Sequence, residues 1–406
     1  MNTSTPSPTL RIAVFTTSYP RHRCDDVSVF VQRFVTALTE LCRSILVIVP
    51  LDADEPICLQ EERLTILRFR YGLFSRGRLA FGAGLLPNLQ RKPGLILQAP
   101  LLVLGLVWTA WRRRKEIDVV QANWILAGAA ALFYKTLTGT PYILTLRGSD
   151  MKLIGKTWLR QLYRPIINGA ATVVTVNAGF CQEVQSLTGL KEKRIVPIPN
   201  GVEIHPPTPE QLINFRRSYT LAAPLPYLMT AATVIPLKRI ALLIELLAQP
   251  ILSNYHLLIC GKLDDSAYVA ELRKQIRLLN LEERVHLLGL VPPLEIPCCL
   301  AASRCYVTAS SFEGRPNAVL EAFAAGLPVF AADIPAHREL IQDGVNGFLF
   351  DTANLTALAA RIVQLEEDRR LRETIIANAL KKTENMSWRI CAAAYYQILS
   401  DSLQKS

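Results

Sequence analysis

No two of the nine cysteines form a Cys-x-x-Cys pair, and their number is odd. Cys260 and Cys305 lie inside apolar, strand-like runs. A disulfide scaffold or a cysteine zinc framework is therefore not expected, and the thiols read as reduced and buried, in the cytosolic manner. No Gly-x-Gly-x-x-Gly follows the first strand-like run, which argues against a dinucleotide site there. Met1 to Thr9 lack a cationic-then-apolar leader pattern, so a cytoplasmic chain is expected. There is no short-period repeat, and no low-complexity tract beyond the Thr/Ser/Pro start. No convincing Ser/His/Asp or Cys/His set is present.

What remains is well-cored. Half of the 406 residues are hydrophobic and 19% are charged. A chain of this length is too long for one ordinary core, and two domains are expected. Residues 1–205 hold 25 Lys and Arg against 14 Asp and Glu, or +11; residues 206–406 hold 20 against 20. All net positive charge thus lies in the first half. It points to nucleic acid, an anionic membrane or an acidic acceptor, or to a generic soluble surface.

Apolar runs alternate with amphipathic ones in both halves. In the first, Leu10–Phe15, Ile45–Val49, Asp118–Ala122, Pro141–Leu146, Val173–Val176 and Ile195–Pro199 read as strands. A helix with Val31, Phe34, Val35, Leu38 and Leu41 on one stripe follows the first of them. In the second half Tyr227–Ala231, His256–Cys260, Val285–Leu288, Cys305–Ala309 and Val329–Ala331 read as strands, with helices between. This is α/β grammar: two Rossmann-like, doubly wound domains. The expected boundaries are 1–205, a linker at 206–225 opened by His205-Pro206-Pro207-Thr208-Pro209, a second domain at 226–385, and a C-terminal helix at 386–406 that packs back on the first domain.

Residues 72–115 stand apart. Gly72–Gly84 is dotted with Gly and Arg, including Arg76 and Arg78. Leu95–Trp111 is almost continuously apolar and ends in Arg112-Arg113-Arg114-Lys115. Gln98, Pro100 and Gly105 interrupt it, and about 20 apolar residues are needed to span a bilayer. The stretch reads as a core helix with a solvated basic end, or as one that docks on anionic lipid. Asp52-Ala53-Asp54 has the spacing of a diphosphate-bridging metal site, or it is a solvated acidic loop.

The chemistry concentrates after Cys305–Ala309. Ser310-Ser311-Phe312-Glu313-Gly314-Arg315-Pro316-Asn317 forms a strand-to-helix loop, and Glu321 follows on the helix. In an open α/β sheet, ligands bind beyond the carboxyl ends of strands, and helix starts favour phosphate. Lys238 sits just after the second half's first strand and Gly261 directly after its next. Asp333 and Glu339 follow the strand Val329–Ala331. His337, between them, reads as polar surface, and Trp124 as packing.

Taken together, these elements resemble glycosyltransferase family 4, retaining enzymes of the GT-B fold. The first half matches at Ser18-Tyr19-Pro20, at the strand into Gly148-Ser149-Asp150, and at Pro199-Asn200-Gly201-Val202; the specific part is 305–349. The resemblance implies two domains facing a cleft, with a nucleotide-sugar donor mostly on the second. By it, Glu321 accepts the ribose hydroxyls, Glu313 lies near the donor sugar, and Lys238 neutralises the leaving diphosphate. Gly261, Gly314, Arg315 and Asn317 line the donor, and the stretch Gly289–Pro292, with Val291, holds the base. No metal or other cofactor is implied, and no protein nucleophile. Two positions depart from the family pattern. Thr233 stands where an arginine is usual, with Arg239 or Arg315 as substitutes, and Arg147 stands where a histidine faces the donor sugar. An arginine is permanently charged and serves no general-base role.

The expected function is retaining transfer of a hexose or N-acetylhexosamine to a saccharide acceptor. The basic, apolar segment adds a lipid-linked acceptor for envelope polysaccharide, and peripheral contact with the anionic inner face of the plasma membrane, with no nucleic-acid partner. A sugar-nucleotide 2-epimerase and a non-catalytic partner protein on the same fold are the alternatives.

Overall fold

The computed structural model describes residues 9–22, 25, 27–51, 56–72, 77–80, 85–148, 150–151, 157–189 and 194–404. Cys24, Asp52, Asp54, Arg76 and Ser149 lie outside the described residues. The chain divides into two compact units, residues 1–201 with 388–406, and residues 202–387.

The first unit is built on an eight-stranded sheet. Its strands are β1 (Arg11–Phe15), β2 (Ser44–Pro50), β3 (Cys58–Gln60), β4 (Leu64–Phe69), β5 (Val119–Asn123), β6 (Tyr142–Leu146), β7 (Thr172–Thr175) and β8 (Ile195–Pro197). Their order is β3-β4-β2-β1-β5-β6-β7-β8. Neighbours run parallel except β3 and β4. β1, β5 and β6 are buried along nearly their whole length because helices cover both faces of the sheet, which is why they read as continuous apolar runs. Successive connections leave β1 in opposite directions, toward β2 and toward β5, so a switch point opens between β1 and β5.

One face of this sheet is covered by the helix Val29–Thr39, whose Val31, Phe34, Val35 and Leu38 form the buried stripe. Each such burial is worth about 1.5–3 kcal/mol. The helix Trp388–Gln404 shares this face; Tyr395 lies 4.6 Å from the Phe34 ring, and Trp388, Cys391 and Leu399 join the same core. The opposite face is covered by the helices Ala99–Arg112, Trp124–Thr138, Thr157–Gly169 and Ala178–Thr188.

In the loop after β1, Asp25 is held by Arg21 through its Nε at 2.6 Å, its Nη2 at 2.9 Å and its backbone N–H at 2.8 Å. Burial alone would raise this carboxyl, but the bonds from Arg21 lower it to about 2. A carboxyl depressed in the folded state adds stability above its ordinary pKa of about 4, and that stability is lost as pH falls. Asp25→Asn is therefore expected to cost about 2 kcal/mol at neutral pH. The gap from wild type should narrow as pH falls from about 4 toward about 2, read as denaturant midpoints across pH. A gap independent of pH would count against it.

The second unit holds a six-stranded, all-parallel sheet: β9 (Tyr227–Ala231), β10 (His256–Cys260), β11 (Val285–Gly289), β12 (Cys305–Thr308), β13 (Val329–Ala332) and β14 (Phe348–Phe350). The order β11-β10-β9-β12-β13-β14 puts its switch point between β9 and β12. Helices Ile240–Leu247, Ser266–Leu278 and Leu355–Glu367 pack on one face; Ile296–Ala302 and Asn317–Ala324 pack on the other. The doubly wound α/β expectation holds for both units.

The stretch 206–225, read from sequence as a linker, contains a helix at Pro209–Ser218. Thr208 caps it in a box with Gln211, and Phe215 is buried in the second unit's core. The eight described cysteines form no disulfide.

Candidate functional site

The loops after β9 and β12 carry the second unit's polar cluster. After β9, the 3-10 turn Pro236–Lys238 closes through Lys238 N–H to the Ile235 carbonyl at 2.9 Å. After β12, Ser311 donates to the Leu237 carbonyl from its backbone N–H at 3.0 Å and from its hydroxyl at 3.1 Å. These bonds stitch the two loops together at the switch point. The result is that Lys238 Nζ lies 2.6 Å from Glu313 Oε1, in a largely buried ion pair. Two residues 75 apart in sequence are thus brought into contact.

Glu321 lies on the helix Asn317–Ala324, whose Val319, Leu320 and Phe323 are buried. Tyr306 lies within electrostatic reach of both carboxylates. It is buried on β12, its hydroxyl donates to the Ala231 carbonyl at 3.4 Å, and burial, with the nearby charges of Glu313 and Glu321, raises its pKa. Sequence reasoning took Tyr306 only as part of the strand leading in.

The neighbouring strand ends form a floor. The Gly261 N–H donates to the Gly289 carbonyl at 2.8 Å, the Ala232 N–H to Cys260, and the Val234 N–H to Lys262, both at 2.9 Å. A Cβ on Gly261 would stand 1.8 Å from the Ala232 carbonyl oxygen, so the approach requires glycine. Val291 is buried nearby in the core that also holds Cys260. Thr233 and Arg239 are exposed; Arg239 reaches Thr352 Oγ1 at 3.4 Å. Arg315 points an Nη to Met386 Sδ at 3.9 Å. Gly314 and Asn317 bracket the helix start.

The reading of His337 as polar surface is wrong. The ring is fully buried, Nδ1–H donates to the Ala332 carbonyl at 2.6 Å, and Nε2 has no hydrogen-bond partner among the described residues. Burial lowers its pKa, and it feels the charges of Glu313 and Lys238. The short helix Pro335–Arg338 turns the ring inward, which local polarity does not reveal. Among the described residues, no group of three or more His, Cys, Asp or Glu is placed to hold a metal ion.

In the first unit, Arg147 follows β6 and is buried. Its Nη1 donates to Asn200 Oδ1 at 2.9 Å and its Nη2 to Asn123 Oδ1 at 3.2 Å. The guanidinium lies over Phe30 at 4.4 Å and Trp124 at 5.8 Å. Phe30 follows β1 and Trp124 follows β5, so Arg147 stacks on the residues that flank this unit's switch point. Trp124 packs against the Phe30 ring and the unit's core, and its φ of 67 is a left-handed conformation that costs a bulky residue energy. Asp150 makes no side-chain bond to Arg147: its Oδ2 accepts from the Arg147 backbone N–H at 2.8 Å, and its Oδ1 from the Ile125 N–H at 3.0 Å. Burial raises Asp150 to about 6 and lowers Arg147.

A family model described as "Glycosyl transferase 4-like domain" matches residues 27–201, and one described as "Glycosyl transferases group 1" matches residues 213–382. The chain is 32% identical over 107 residues to O-antigen chain mannosyltransferase B of Escherichia coli, a match spanning 26% of this chain and 28% of that protein. It is 23% identical over 296 residues to N-acetyl-alpha-D-glucosaminyl L-malate synthase of Bacillus anthracis, covering 72% of this chain and 73% of the relative. Among solved structures, HepE of Anabaena, crystallised with UDP and glucose, superposes with a TM-score of 0.74 at 22% identity, covering 97% of this chain and all of that one. At this identity the likeness speaks for the fold.

Proposed function

The chain belongs to the glycosyltransferase 4-like family on the GT-B fold, and we propose that it moves a hexose or N-acetylhexosamine from a nucleoside diphosphate to a saccharide acceptor, with retention and without a metal ion. The observation that carries this reading is the Lys238–Glu313 pair at the β9/β12 switch point, 2.6 Å apart and largely buried. A fixed ammonium beside the leaving diphosphate acts on charge that develops only in the transition state. Glu313 then faces the donor sugar, and Glu321, one turn into its helix, accepts the ribose hydroxyls. Gly261 lets two backbones meet closely enough to floor the nucleotide, and Val291 lies beside the base. The buried guanidinium of Arg147, at the first unit's own switch point, is a donor suited to a hydroxyl or a phosphate. Same-face attack by the acceptor hydroxyl needs no protein nucleophile. The O-antigen enzyme among the relatives supports envelope polysaccharide as the setting. The basic, apolar first unit supports a lipid-linked acceptor at the cytoplasmic membrane face.

The test is a melting-point screen against uridine and guanosine diphosphate sugars, followed by product analysis with the sugar that binds. A ligand at a hundredfold its Kd stabilises by about 2.7 kcal/mol, a clear upward shift. Glu321→Ala is expected to abolish that shift, and the product should be an extended saccharide of retained configuration. Chelator and Asp52→Ala should leave transfer unchanged. An epimerised sugar nucleotide with no acceptor product overturns the transfer reading. Loss of activity with chelator, matched by Asp52→Ala, overturns the metal-free one.

A further inference from the structure

We propose that the outer face of the first unit made by the helices Ala99–Arg112, Trp124–Thr138 and Thr157–Gly169 is a docking surface for an anionic lipid bilayer. The three helices are consecutive crossovers, from β4 to β5, β5 to β6 and β6 to β7, and they lie side by side on one face of the sheet. In the first of them Leu102, Leu106 and Ala110 form the inner stripe, buried against the sheet. Leu104, Trp108 and Trp111 form the opposite stripe, with Leu104 51% and Trp108 60% exposed. The turn that leads in exposes Leu97 at 79%, and the next two helices expose Leu137 at 55% and Leu162 at 62%. Large apolar side chains left in water on three neighbouring helices mark a surface that something covers.

Charge identifies the cover. None of the three helices contains Asp or Glu. The apolar stripe of the first ends in Arg112-Arg113-Arg114-Lys115. Arg113 pairs with Glu116 and Arg114 lies 4.5 Å over the Trp111 ring, while Arg112 and Lys115 make no ion pair among the described residues. Trp108 and Trp111 stack at 5.6 Å. Paired indoles beside a cationic fringe suit the level of lipid headgroups, where an apolar ring meets a wet, anionic layer. A protein partner gives no comparable reason for three helices to exclude every acid.

Length and composition alone would let Pro93–Arg112 cross a membrane. The fold places it otherwise. Its inner stripe belongs to the domain core, and Gly105 packs against the Phe69 ring so closely that a Cβ would stand 2.3 Å from it. Spanning would strip this face from the sheet, whereas lying flat buries only what is now exposed.

This deepens the membrane-side reading above, yet it depends on the first unit's surface and not on the donor chemistry. The experiment is sedimentation of the full chain with phosphatidylcholine vesicles, with and without phosphatidylglycerol, at low and high salt. Binding is expected only with phosphatidylglycerol at low salt, with a blue shift of tryptophan emission. Arg112→Gln with Lys115→Gln should weaken it about thirtyfold. Leu104→Ser with Trp108→Ser should weaken it roughly tenfold. These side chains are exposed, so melting points and nucleotide-sugar binding should be unchanged, which separates loss of docking from loss of the donor site. Equal binding by wild type and variants, or none to anionic vesicles, overturns the proposal. So does a wild-type dimer that Leu104→Ser with Trp108→Ser makes monomeric, since a second copy would then be the cover.

Discussion

Lys238→Ala is expected to lower kcat by about 10²–10³-fold, the usual effect of removing one preorganised group that meets developing charge. The geometry makes this substitution informative because the backbone around it does not depend on the ammonium. The turn Pro236–Lys238 is closed by main-chain bonds, and the β12 loop is tied to it by two bonds from Ser311 to Leu237. The two side chains are only 18% and 17% exposed, so removing the ammonium leaves Glu313 without its partner and costs about 1–3 kcal/mol of folding. The protein should therefore melt lower yet stay folded at assay temperature while turnover collapses. Lys238→Arg keeps the charge but not the compact ammonium, and should restore only part of the rate. Turnover within about tenfold of wild type in Lys238→Ala would remove Lys238 from the chemistry.

Gly261→Ala is expected to cost about 3 kcal/mol, the upper end for overpacking, and to lower the second unit's melting point by about 10 °C. The added methyl meets the Ala232 carbonyl oxygen at 1.8 Å and its carbon at 2.5 Å, both main-chain atoms that no rotamer change relieves. Backbone dihedrals are not the obstacle here, because Gly261 does not sit in the left-handed region. To make room, the segment after β9 must lift off the segment after β10, breaking the bonds from Ala232 to Cys260 and from Val234 to Lys262. That segment leads directly into Lys238, so nucleotide-sugar affinity should fall with stability. The pairing of the two losses, read by calorimetry and by ligand titration, distinguishes this position from an ordinary core defect. An unchanged melting point would show that the strand ends separate without penalty.

Much of this architecture was legible because central parallel strands are covered on both faces and so appear as unbroken apolar runs. β1, β5, β9 and β12 are of that kind. β3 escaped notice because Cys58, Leu59 and Gln60 are all exposed at the sheet edge, and β14 because it is three residues long. The helix Pro209–Ser218 was hidden by its polar composition, although Thr208, Pro209 and Gln211 carry a helix-start signal at the right spacing. At the site, the loop positions of Lys238, Glu313 and Gly261 followed from the strand ends. The contact between Lys238 and Glu313 did not, since it depends on β9 and β12 being neighbours, and strand order is a three-dimensional fact. His337 and Trp124 illustrate the same limit. An inward-turned ring and a left-handed backbone are imposed by surroundings, and neither leaves a mark in the local sequence.

The helix Trp388–Gln404 has a consequence for the order in which the protein is made. It supplies part of one wall of a sheet whose first strand begins at Arg11, so the first unit is assembled from two stretches separated by the whole of the second. The second unit, residues 202–387, is contiguous and has all its parts while that wall is still missing. During synthesis, the apolar stripe around Phe34 and Val35 waits uncovered until Trp388–Gln404 has left the ribosome. Closure of this wall thus comes after the whole of the contiguous second unit has been made.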